Sequence, residues 1–359
     1  MGRIIRARSP LRVSFAGGGT DVRPYPELHG GVALNATINR FAYCTLEINE
    51  SEDIVVHSLD YDQTAQFSVS STPLFDGNLD LIKGVFRRVR PGILPGLNVT
   101  LFTDAPPGSG LGTSSALVVA VISAISQYLG LALSPHEMAN LAYVVEREDL
   151  GIVGGSQDQY ASCYGGFNFM EFGGKSVDVY PLRIRAPIVY ELEAHFLLCF
   201  TGDTRLSAGI LKSQIENVEQ RDTTTVKGLH AIKAITFELR RALLSGDLLT
   251  FGDLLNTAWE NKRQLAYGIS NPKIDEMYRV ARKNGALGGK LLGAGGGGYL
   301  LIYVEPDRRV KVAAALQRLG ATLSPFLGFI DSGAVAWENR LNVSTIPEGF
   351  QGGPWREHV

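Results

Sequence analysis

Three glycines and four hydroxyl side chains crowd into residues 106–115 of this sequence. Glycine leaves the neighbouring backbone N–H groups uncrowded, and an apolar stretch typical of a buried helix follows as far as Leu131. Free N–H groups at the start of a helix, together with its dipole, attract anions. The segment therefore predicts a cradle for a triphosphate. Its candidate ATP contacts are Pro107, Gly108, Ser109, Gly110, Leu111, Gly112, Thr113, Ser114 and Ser115.

The alternative is that residues 106–115 only form a turn before a helix. Two further glycine loops, residues 17–19 and 293–298, argue against it. Glycine costs backbone entropy, so three such loops indicate places where a ligand approaches the main chain. The 293–298 loop matches G-x-G-x-x-G, but a predicted helix precedes it and a strand follows, the reverse of a dinucleotide-binding turn. Asn284 and Leu291 exclude a Walker A motif around Lys290.

Two charged side chains have contexts that could support catalysis. Asp158 lies in a loop rich in Gly, Ser and Gln, where a carboxylate can orient or deprotonate an acceptor hydroxyl during phosphoryl transfer. The alternative for Asp158 is a turn residue that hydrogen-bonds its own backbone. Arg12 lies in an otherwise apolar predicted strand, which is unusual unless the arginine is paired.

Composition places the chain among ordinary globular proteins of two domains. It has 359 residues, 45% of them hydrophobic, and 34 basic residues nearly balance 36 acidic ones. This balance predicts neither a nucleic-acid nor a membrane partner. The three separated cysteines fit a reduced cytoplasmic protein, and the histidines lack the spacing of metal ligands. The sequence assigns no oligomeric state.

The elements that must position these residues follow from local patterns. A strand over 3–16 leads to the first glycine loop, and a strand over 97–103 leads to residues 106–115. A helix over 114–130 precedes a second one that begins at Ser134 as N-cap and runs to about Leu150. We expect domains at 1–186 and 187–339 and an irregular tail at 340–359.

Three segments resemble the three motifs of the GHMP kinase superfamily, the galacto-, homoserine, mevalonate and phosphomevalonate kinases. They are residues 9–21, residues 106–116, which match the family's phosphate loop, and residues 290–298. The resemblance spans nearly the whole chain and implies an α+β fold. It implies an N-terminal domain like ribosomal protein S5 domain 2, a ferredoxin-like C-terminal domain, and an active site for ATP and Mg²⁺ between them.

Within that superfamily, residues 16–21, 146–161 and 165–171 resemble the D-glycero-D-manno-heptose 7-phosphate kinases. Galactokinases have Glu and His where this chain has Gly18 and Gly19, which argues against galactose. The resemblance implies phosphorylation of the anomeric hydroxyl of this sugar phosphate, giving the 1,7-bisphosphate for nucleotide-activated heptose and bacterial surface polysaccharide. The alternatives are an anomeric kinase of another sugar such as fucose, and a non-catalytic regulator that binds nucleotide or sugar.

The resemblance also implies roles for single residues. Asp158 matches the catalytic aspartate, and Arg12 matches an arginine that lowers the acceptor's pKa and stabilises phosphoryl charge. Glu146 with Ser114 matches the magnesium ligands, although Glu148, Asp149 and Ser115 lie close enough to shift that assignment.

The acceptor is expected near the first and third glycine loops. Asp21 suits sugar hydroxyls, with a helix N-cap as its alternative role. The expected substrate contacts are Gly18, Gly19, Thr20, Asp21, Gly155, Asp158, Gly295 and Gly296. A phosphorylated sugar needs a second anion site as well, for which the candidates are Gly18, Gly19, Arg147, Arg205 and Lys290.

Overall fold

The computed structural model describes residues 3–89, 94–174, 176–204, 208–324 and 327–339. Strands β1 to β12 span Ile4–Ala16, Gly31–Ile48, Asp53–Ser58, Gln63–Ser68, Leu97–Thr103, Phe167–Gly173, Ser176–Leu182, Phe196–Phe200, Ala286–Leu291, Tyr299–Val304, Thr322–Leu323 and Val335–Asn339. Helices α1 to α11 span Tyr25–His29, Asp80–Val89, Thr113–Leu129, Pro135–Tyr143, Gln157–Tyr164, Ala186–His195, Ala208–Glu219, Thr223–Ser245, Leu248–Lys262, Pro272–Lys283 and Pro306–Gln317. A π-helical segment, Val144–Asp149, continues α4.

The first sheet is built around β2, a strand long enough to serve two sets of neighbours. Its first half pairs with β6 and its second half with β5, while β1 runs antiparallel along most of its length. The order is β12-β1-β2-β5-β3-β4, and β6 and β7 extend from β2. The apolar helix α3 packs against β1 and β2, which confirms the predicted core helix.

The second sheet has the order β11-β8-β10-β9, and all of its neighbours are antiparallel. Numbered along the chain from β8, this is a 4-1-3-2 order, with helices between the first and second strands and between the third and fourth. That is the ferredoxin-like arrangement predicted for the C-terminal domain. None of the helices in the described ranges is long and apolar enough to cross a membrane.

Two elements of the structure cross the expected boundary between the two domains. Strand β12, at the end of the expected 187–339 domain, pairs with β1 and so belongs to the first sheet. Helix α6 begins at Ala186, across the expected boundary. Aromatic side chains continue the core between the sheets, since Phe15 lies 5.7 Å from Phe196 and 5.5 Å from Phe251 between ring centroids. The expected tail, 340–359, lies outside the described residues.

Local sequence signals correctly predict where helix α4, which leads towards the site, begins. Helix α4 begins after Ser134, whose hydroxyl accepts from the Glu137 N–H at 3.2 Å while the Glu137 carboxylate accepts from the Ser134 N–H at 2.8 Å. This is the predicted capping box. The helix does not stay α-helical as far as Leu150, because residues 144–149 widen into a π-helical turn. Such turns are frequent at functional sites.

Candidate active site

The three glycine loops meet at one cavity of about 250 Å³, which we call the main cavity. The 17–19 loop follows β1, the 106–112 loop joins β5 to α3, and the 293–298 loop joins β9 to β10. The cavity therefore lies where turns of the first sheet meet a turn of the second. Its polar walls carry side chains from β1, α5, α9 and β9 as well.

The phosphate loop, residues 106–115, has the backbone expected of an anion cradle. Gly108, Gly110 and Gly112 have φ values of 71°, 85° and 76°, a conformation that L side chains rarely adopt. Helix α3 begins immediately afterwards at Thr113. A turn with such alternating backbone conformations, followed by a helix N-terminus, presents N–H groups to a common ligand.

The 293–298 loop packs closely against the phosphate loop, and this packing requires glycine. A Cβ on Gly293 would lie 2.7 Å from the Gly110 Cα, and one on Gly298 would lie 2.3 Å from the Ser109 carbonyl oxygen. That oxygen accepts from the Tyr299 N–H at 2.9 Å. The turn of the second sheet thus supports the cradle directly, backbone against backbone.

Arg12 and Asp158 form the central charged pair of the main cavity. Arg12 is only 4% exposed, and its Nε and Nη2 lie 2.8 and 2.7 Å from the Asp158 Oδ1. Its Nη1 donates to the Gly110 carbonyl at 2.6 Å. The guanidinium therefore joins β1, the first turn of α5 and the phosphate loop. Both of its contacts with Asp158 are to Oδ1, and no described residue donates a hydrogen bond to the Asp158 Oδ2.

Asp21 is buried beside this pair, and its carboxylate accepts from backbone N–H groups of the first glycine loop and of the start of α5. Its Oδ1 accepts from the Gly19 N–H at 3.0 Å and its Oδ2 from the Gln157 N–H at 3.2 Å. Helix α1 has Pro24 at its N-cap, so Asp21 does not cap the helix that follows it in the chain, and its capping contact is instead with the first N–H of α5. Burial and the nearby charge of Asp158 raise the pKa of Asp21.

Glu146 lies on the π-helical segment, 2% exposed, with one oxygen satisfied and the other not. Its Oε2 accepts from the Ser115 hydroxyl at 3.0 Å and lies 3.2 Å from the Arg147 Nη1. Its Oε1 is buried and no described residue is within hydrogen-bond geometry of it. Burial raises the pKa of this carboxyl group, and the nearby Arg147, Ser115 and Gln159 side chains oppose that shift. The hydroxyl that contacts Glu146 is that of Ser115, whereas Ser114 is exposed on the cavity wall.

Two buried lysines complete the main cavity. Lys262, at the end of α9, donates from Nζ to the carbonyls of Leu291 and Gly293 at 3.1 and 2.5 Å. Lys290, on β9, is 3% exposed and has no side-chain hydrogen bond or ion pair within the described part of the chain. Sequence reasoning named Lys290 only as one possible anion ligand and missed Lys262, because a lysine ending an amphipathic helix carries no local signal.

Most of the expected site residues line the main cavity. They are Arg12, Gly18, Gly19, Asp21, Gly108, Gly110, Gly112, Thr113, Ser114, Ser115, Glu146, Gly155, Asp158 and Gly295. Four others, Ser109, Leu111, Thr20 and Gly296, lie behind its surface. The Thr20 hydroxyl bonds to the carbonyls of Gly17 and Val32, and the Gly296 N–H donates to the Ile269 carbonyl, so both fix loop backbone. Arg205 lies outside the described residues.

Pro107 lines a second cavity of about 350 Å³, which we call the side cavity. It adjoins the start of α3 and shares Leu81, Thr113, Ser114 and Ile152 with the main cavity. Its walls are largely apolar and include Tyr61, Leu79, Leu117 and Leu150. A ligand with phosphates in the cradle can therefore place an apolar, planar group in the side cavity.

The comparisons with known proteins agree with this geometry. The model of the GHMP kinases N terminal domain matches residues 80–166, and that of the GHMP kinases C terminal matches residues 239–322. The D-glycero-alpha-D-manno-heptose 7-phosphate kinase of Campylobacter jejuni is 38% identical over 93% of this chain and 99% of its own length. A solved structure described as a D-glycero-D-manno-heptose 1-phosphate kinase from Bacteroides thetaiotaomicron is 39% identical and covers 93% of this chain and 98% of its own, with a TM-score of 0.77.

A more distant relative is the L-fucokinase/L-fucose-1-P guanylyltransferase of Bacteroides fragilis, 29% identical over 88% of this chain but only 36% of its own length. Together with the heptose phosphate kinases above, it identifies the class of this protein as a small-molecule kinase. The chain belongs to the GHMP kinase family, as the motifs predicted, and kinases of this family use ATP.

The contact between Gly155 and Asp21 predicts the effect of adding one methyl group. A Cβ at residue 155 would lie 1.8 Å from the Asp21 Oδ2, so Gly155→Ala must displace that carboxylate. We expect kcat/KM for the acceptor to fall about 10²-fold, because a shift of about 1 Å at a positioning group costs that much. Gly173→Ala is the matched control, because no atom of the described residues lies within 4 Å of the added Cβ. Equal acceptor kinetics in the two variants would contradict a substrate-positioning role for Asp21.

The buried Lys262 predicts a pH dependence of stability. Burial and the charge of Arg12 lower the pKa of Lys262 from 10.5 to about 8, while the Asp21 carboxylate opposes this shift and Lys290 also faces it. The unfolded chain therefore holds this proton at pH values where the folded protein has released it. The contribution of Lys262 to the free energy of unfolding therefore increases as the pH rises above about 8, and it decreases as the pH falls to about 8.

Lys262→Met removes that contribution. Both proteins are unfolded with denaturant between about pH 7.5 and 9.5. As the pH rises, the free energy of unfolding should increase more for the parent than for the variant. Parallel pH profiles for the two proteins would mean that Lys262 keeps its ordinary pKa in the folded state.

Proposed function

We propose that this kinase transfers the γ-phosphoryl group of ATP to the anomeric hydroxyl of D-glycero-D-manno-heptose 7-phosphate, giving the 1,7-bisphosphate. The observation that carries the proposal is the Arg12–Asp158 pair beside the phosphate loop. It combines a fixed positive charge with a carboxylate oxygen at the end of an anion cradle. Similarity to named heptose phosphate kinases over 93% of the chain supports this acceptor.

The proposed reaction follows from where the charges lie. The Asp158 Oδ2 orients the acceptor hydroxyl and takes its proton as the hydroxyl oxygen bonds to the γ-phosphorus. The bond from that phosphorus to the bridging oxygen breaks, and its electron pair leaves with ADP. Arg12 stabilises charge on the transferred oxygens and holds Asp158 through Oδ1, so the carboxylate is already oriented before the acceptor binds.

The two cavities divide ATP between them in this proposal. The phosphate loop and the first turn of α3 bind the phosphates, and the apolar side cavity accepts the nucleoside. Tyr61, half exposed at that cavity, offers a flat surface for a base, and the nearby Asp60 offers a hydrogen-bond acceptor. ATP supply also favours the cytoplasm as the place where the enzyme works.

Magnesium fits the unsatisfied carboxylate at the other side of the cradle. The buried Glu146 Oε1 has no hydrogen-bond partner in the described part of the chain, and an oxygen ligand beside phosphates is what Mg²⁺ prefers. We assign Glu146 to the metal together with Ser114, whose exposed hydroxyl lines the main cavity, while the adjacent Ser115 holds the Glu146 Oε2. When bound, the metal neutralises charge on the phosphates of ATP.

The acceptor assignment depends on the wall formed by Asp21. Asp21, the Gly18–Gly19 backbone and Gly155 line the part of the main cavity next to Asp158 and can recognise sugar hydroxyls. The two similar proteins are named for different phosphate positions, 7 in one and 1 in the other. We propose the 7-phosphate because a free anomeric hydroxyl is then available to Asp158, and its product suits nucleotide activation for surface polysaccharide.

Asp158→Asn tests the catalytic pair. The amide cannot take the hydroxyl proton, so kcat should fall roughly 10²- to 10⁴-fold while the Kd for ATP stays within about threefold. Asp178→Asn, at an exposed strand position away from the cavity, is the matched control. Steady-state ADP release and calorimetric ATP binding give the two readouts. Near-normal turnover of the Asp158→Asn variant would remove Asp158 from the chemistry.

A panel of acceptors tests the sugar. We expect kcat/KM to be highest for heptose 7-phosphate and lower for heptose 1-phosphate, free heptose and L-fucose, because the first combines a phosphate with a free anomeric hydroxyl. Phosphorus NMR of the product should show a new anomeric ester. A preference for free fucose would replace heptose as the acceptor, and ATP binding without transfer to any sugar would favour a non-catalytic regulator.

A further inference from the structure

Lys290 is a buried cation that nothing in the described protein satisfies. Its side chain is 3% exposed and lines the main cavity, yet no carboxylate or carbonyl within the described ranges accepts a hydrogen bond from it. The ammonium therefore keeps only the solvent that the main cavity admits, and this loss of hydration without a protein acceptor is unfavourable. Lys262, its neighbour, shows the contrast, since two backbone carbonyls accept from that ammonium.

The surroundings of Lys290 increase this cost. Burial and the positive charges of Lys262 and Arg12 lower its pKa, and Asp21 opposes the shift only in part. Arg12 is already paired with Asp158, so the cluster of Arg12, Lys262 and Lys290 faces too few carboxylates. The cluster therefore has an excess of positive charge directed at a cavity. A bound anion is the partner that such a cluster lacks.

The position of Lys290 indicates which anion. Strand β9 runs into the 293–298 loop, which packs backbone against backbone on Gly110 of the phosphate loop. Gly110 in turn accepts from Arg12, whose partner Asp158 marks the point of phosphoryl transfer in the proposed reaction. Lys290 thus lines the cavity from the second sheet, whereas α3 packs on β1 and β2 of the first sheet. A phosphoryl group in transit spreads negative charge over its equatorial oxygens, and these need donors on more than one side.

We propose that Lys290 is a further catalytic residue, whose ammonium binds an oxygen of the phosphoryl group as it passes from ATP to the acceptor. This inference rests on the proposed kinase reaction. In that step the acceptor oxygen bonds to phosphorus, the bond to the ADP oxygen breaks with its electron pair, and the hydroxyl proton passes to Asp158. Lys290 exchanges no proton; it supplies charge that is most strongly engaged in the transition state.

The first test replaces the charge and keeps the length of the side chain. Lys290→Met should lower kcat about 100-fold or more, with KM for ATP and for the acceptor within about threefold, since the contact is strongest in the transition state. Lys290→Arg should recover part of the rate. Lys283→Met, at an exposed position on α10, is the control and should leave all constants unchanged.

Thermal stability distinguishes a ligand-binding lysine from a structural one. Removing an unsatisfied buried ammonium should leave the Tm of ligand-free Lys290→Met equal to or higher than that of the parent, although the variant is slower. A Tm lower by several degrees would show that Lys290 has a structural partner. That result would overturn the proposal.

The binding of a transition-state mimic tests Lys290 without any sugar acceptor. Tetrafluoroaluminate with ADP and Mg²⁺ mimics a phosphoryl group in transit, and calorimetry should show that it tightens ADP binding in the parent and Lys283→Met proteins. In Lys290→Met this gain should be lost, while the Kd for ADP alone stays unchanged. An equal gain in Lys290→Met would overturn the proposal, even if no sugar proves to be a substrate.

The separate effects on KM and kcat show whether Lys290 binds the transferred phosphoryl group or the phosphate ester of the acceptor. If Lys290 instead binds the acceptor's own phosphate ester, Lys290→Met should raise KM for heptose 7-phosphate with kcat unchanged and leave KM for free heptose unaltered. That pattern would overturn the assignment to the transferred group and keep the proposed function. If no sugar is phosphorylated by the parent protein, the proposed function fails, and the tetrafluoroaluminate experiment still decides the role of Lys290.

Discussion

The guanidinium of Arg12 is the contact on which the site depends. It is buried, and a buried charge is tolerated only when its donors are satisfied. Asp158 and the Gly110 carbonyl satisfy them, which ties together β1, the first turn of α5 and the phosphate loop. These segments are separated by up to 146 residues in sequence. The separation between carboxylate and cradle is therefore fixed in the ligand-free protein, and little reorganisation is left for the reaction itself.

Glycine packing extends this constraint to the second sheet. Gly108, Gly110 and Gly112 allow the phosphate loop three positive φ values, and the 293–298 loop packs closely against Gly110. Side chains on Gly110 or Gly293 would separate the two backbones, since each Cβ would approach within 2.7 Å of an opposing main-chain atom. The strand β12 pairs back onto β1 and closes the same arrangement from the other end of the chain. The domains therefore act as one support for the main cavity.

The sequence predicted those features that have a local cause. Glycines that require positive φ, the Ser134 capping box and the uniformly apolar α3 all carry their signal within a few residues. The features that it missed depend on long-range packing. Nothing near Lys262 indicates that its ammonium reaches the carbonyls of another loop, and nothing near Thr20 indicates that its hydroxyl binds loop backbone. The resemblance to a family supplied what local physics could not, namely which carboxylates converge.

Among the described residues of the main cavity, the Glu146 Oε1 and the Lys290 ammonium have opposite charges, and the described protein offers neither a hydrogen-bond partner. Each is costly alone, and a metal-bound triphosphate would satisfy both, the cation at Glu146 and the phosphoryl oxygens at Lys290. A ligand with only one of the two charges would relieve only one side. The arrangement therefore favours the complex of metal and nucleotide over either component, because the Glu146 Oε1 gains a partner from the metal and Lys290 gains one from the phosphates. It also explains why the ligand-free protein tolerates a lysine and a carboxylate that a core selected for stability alone would exclude.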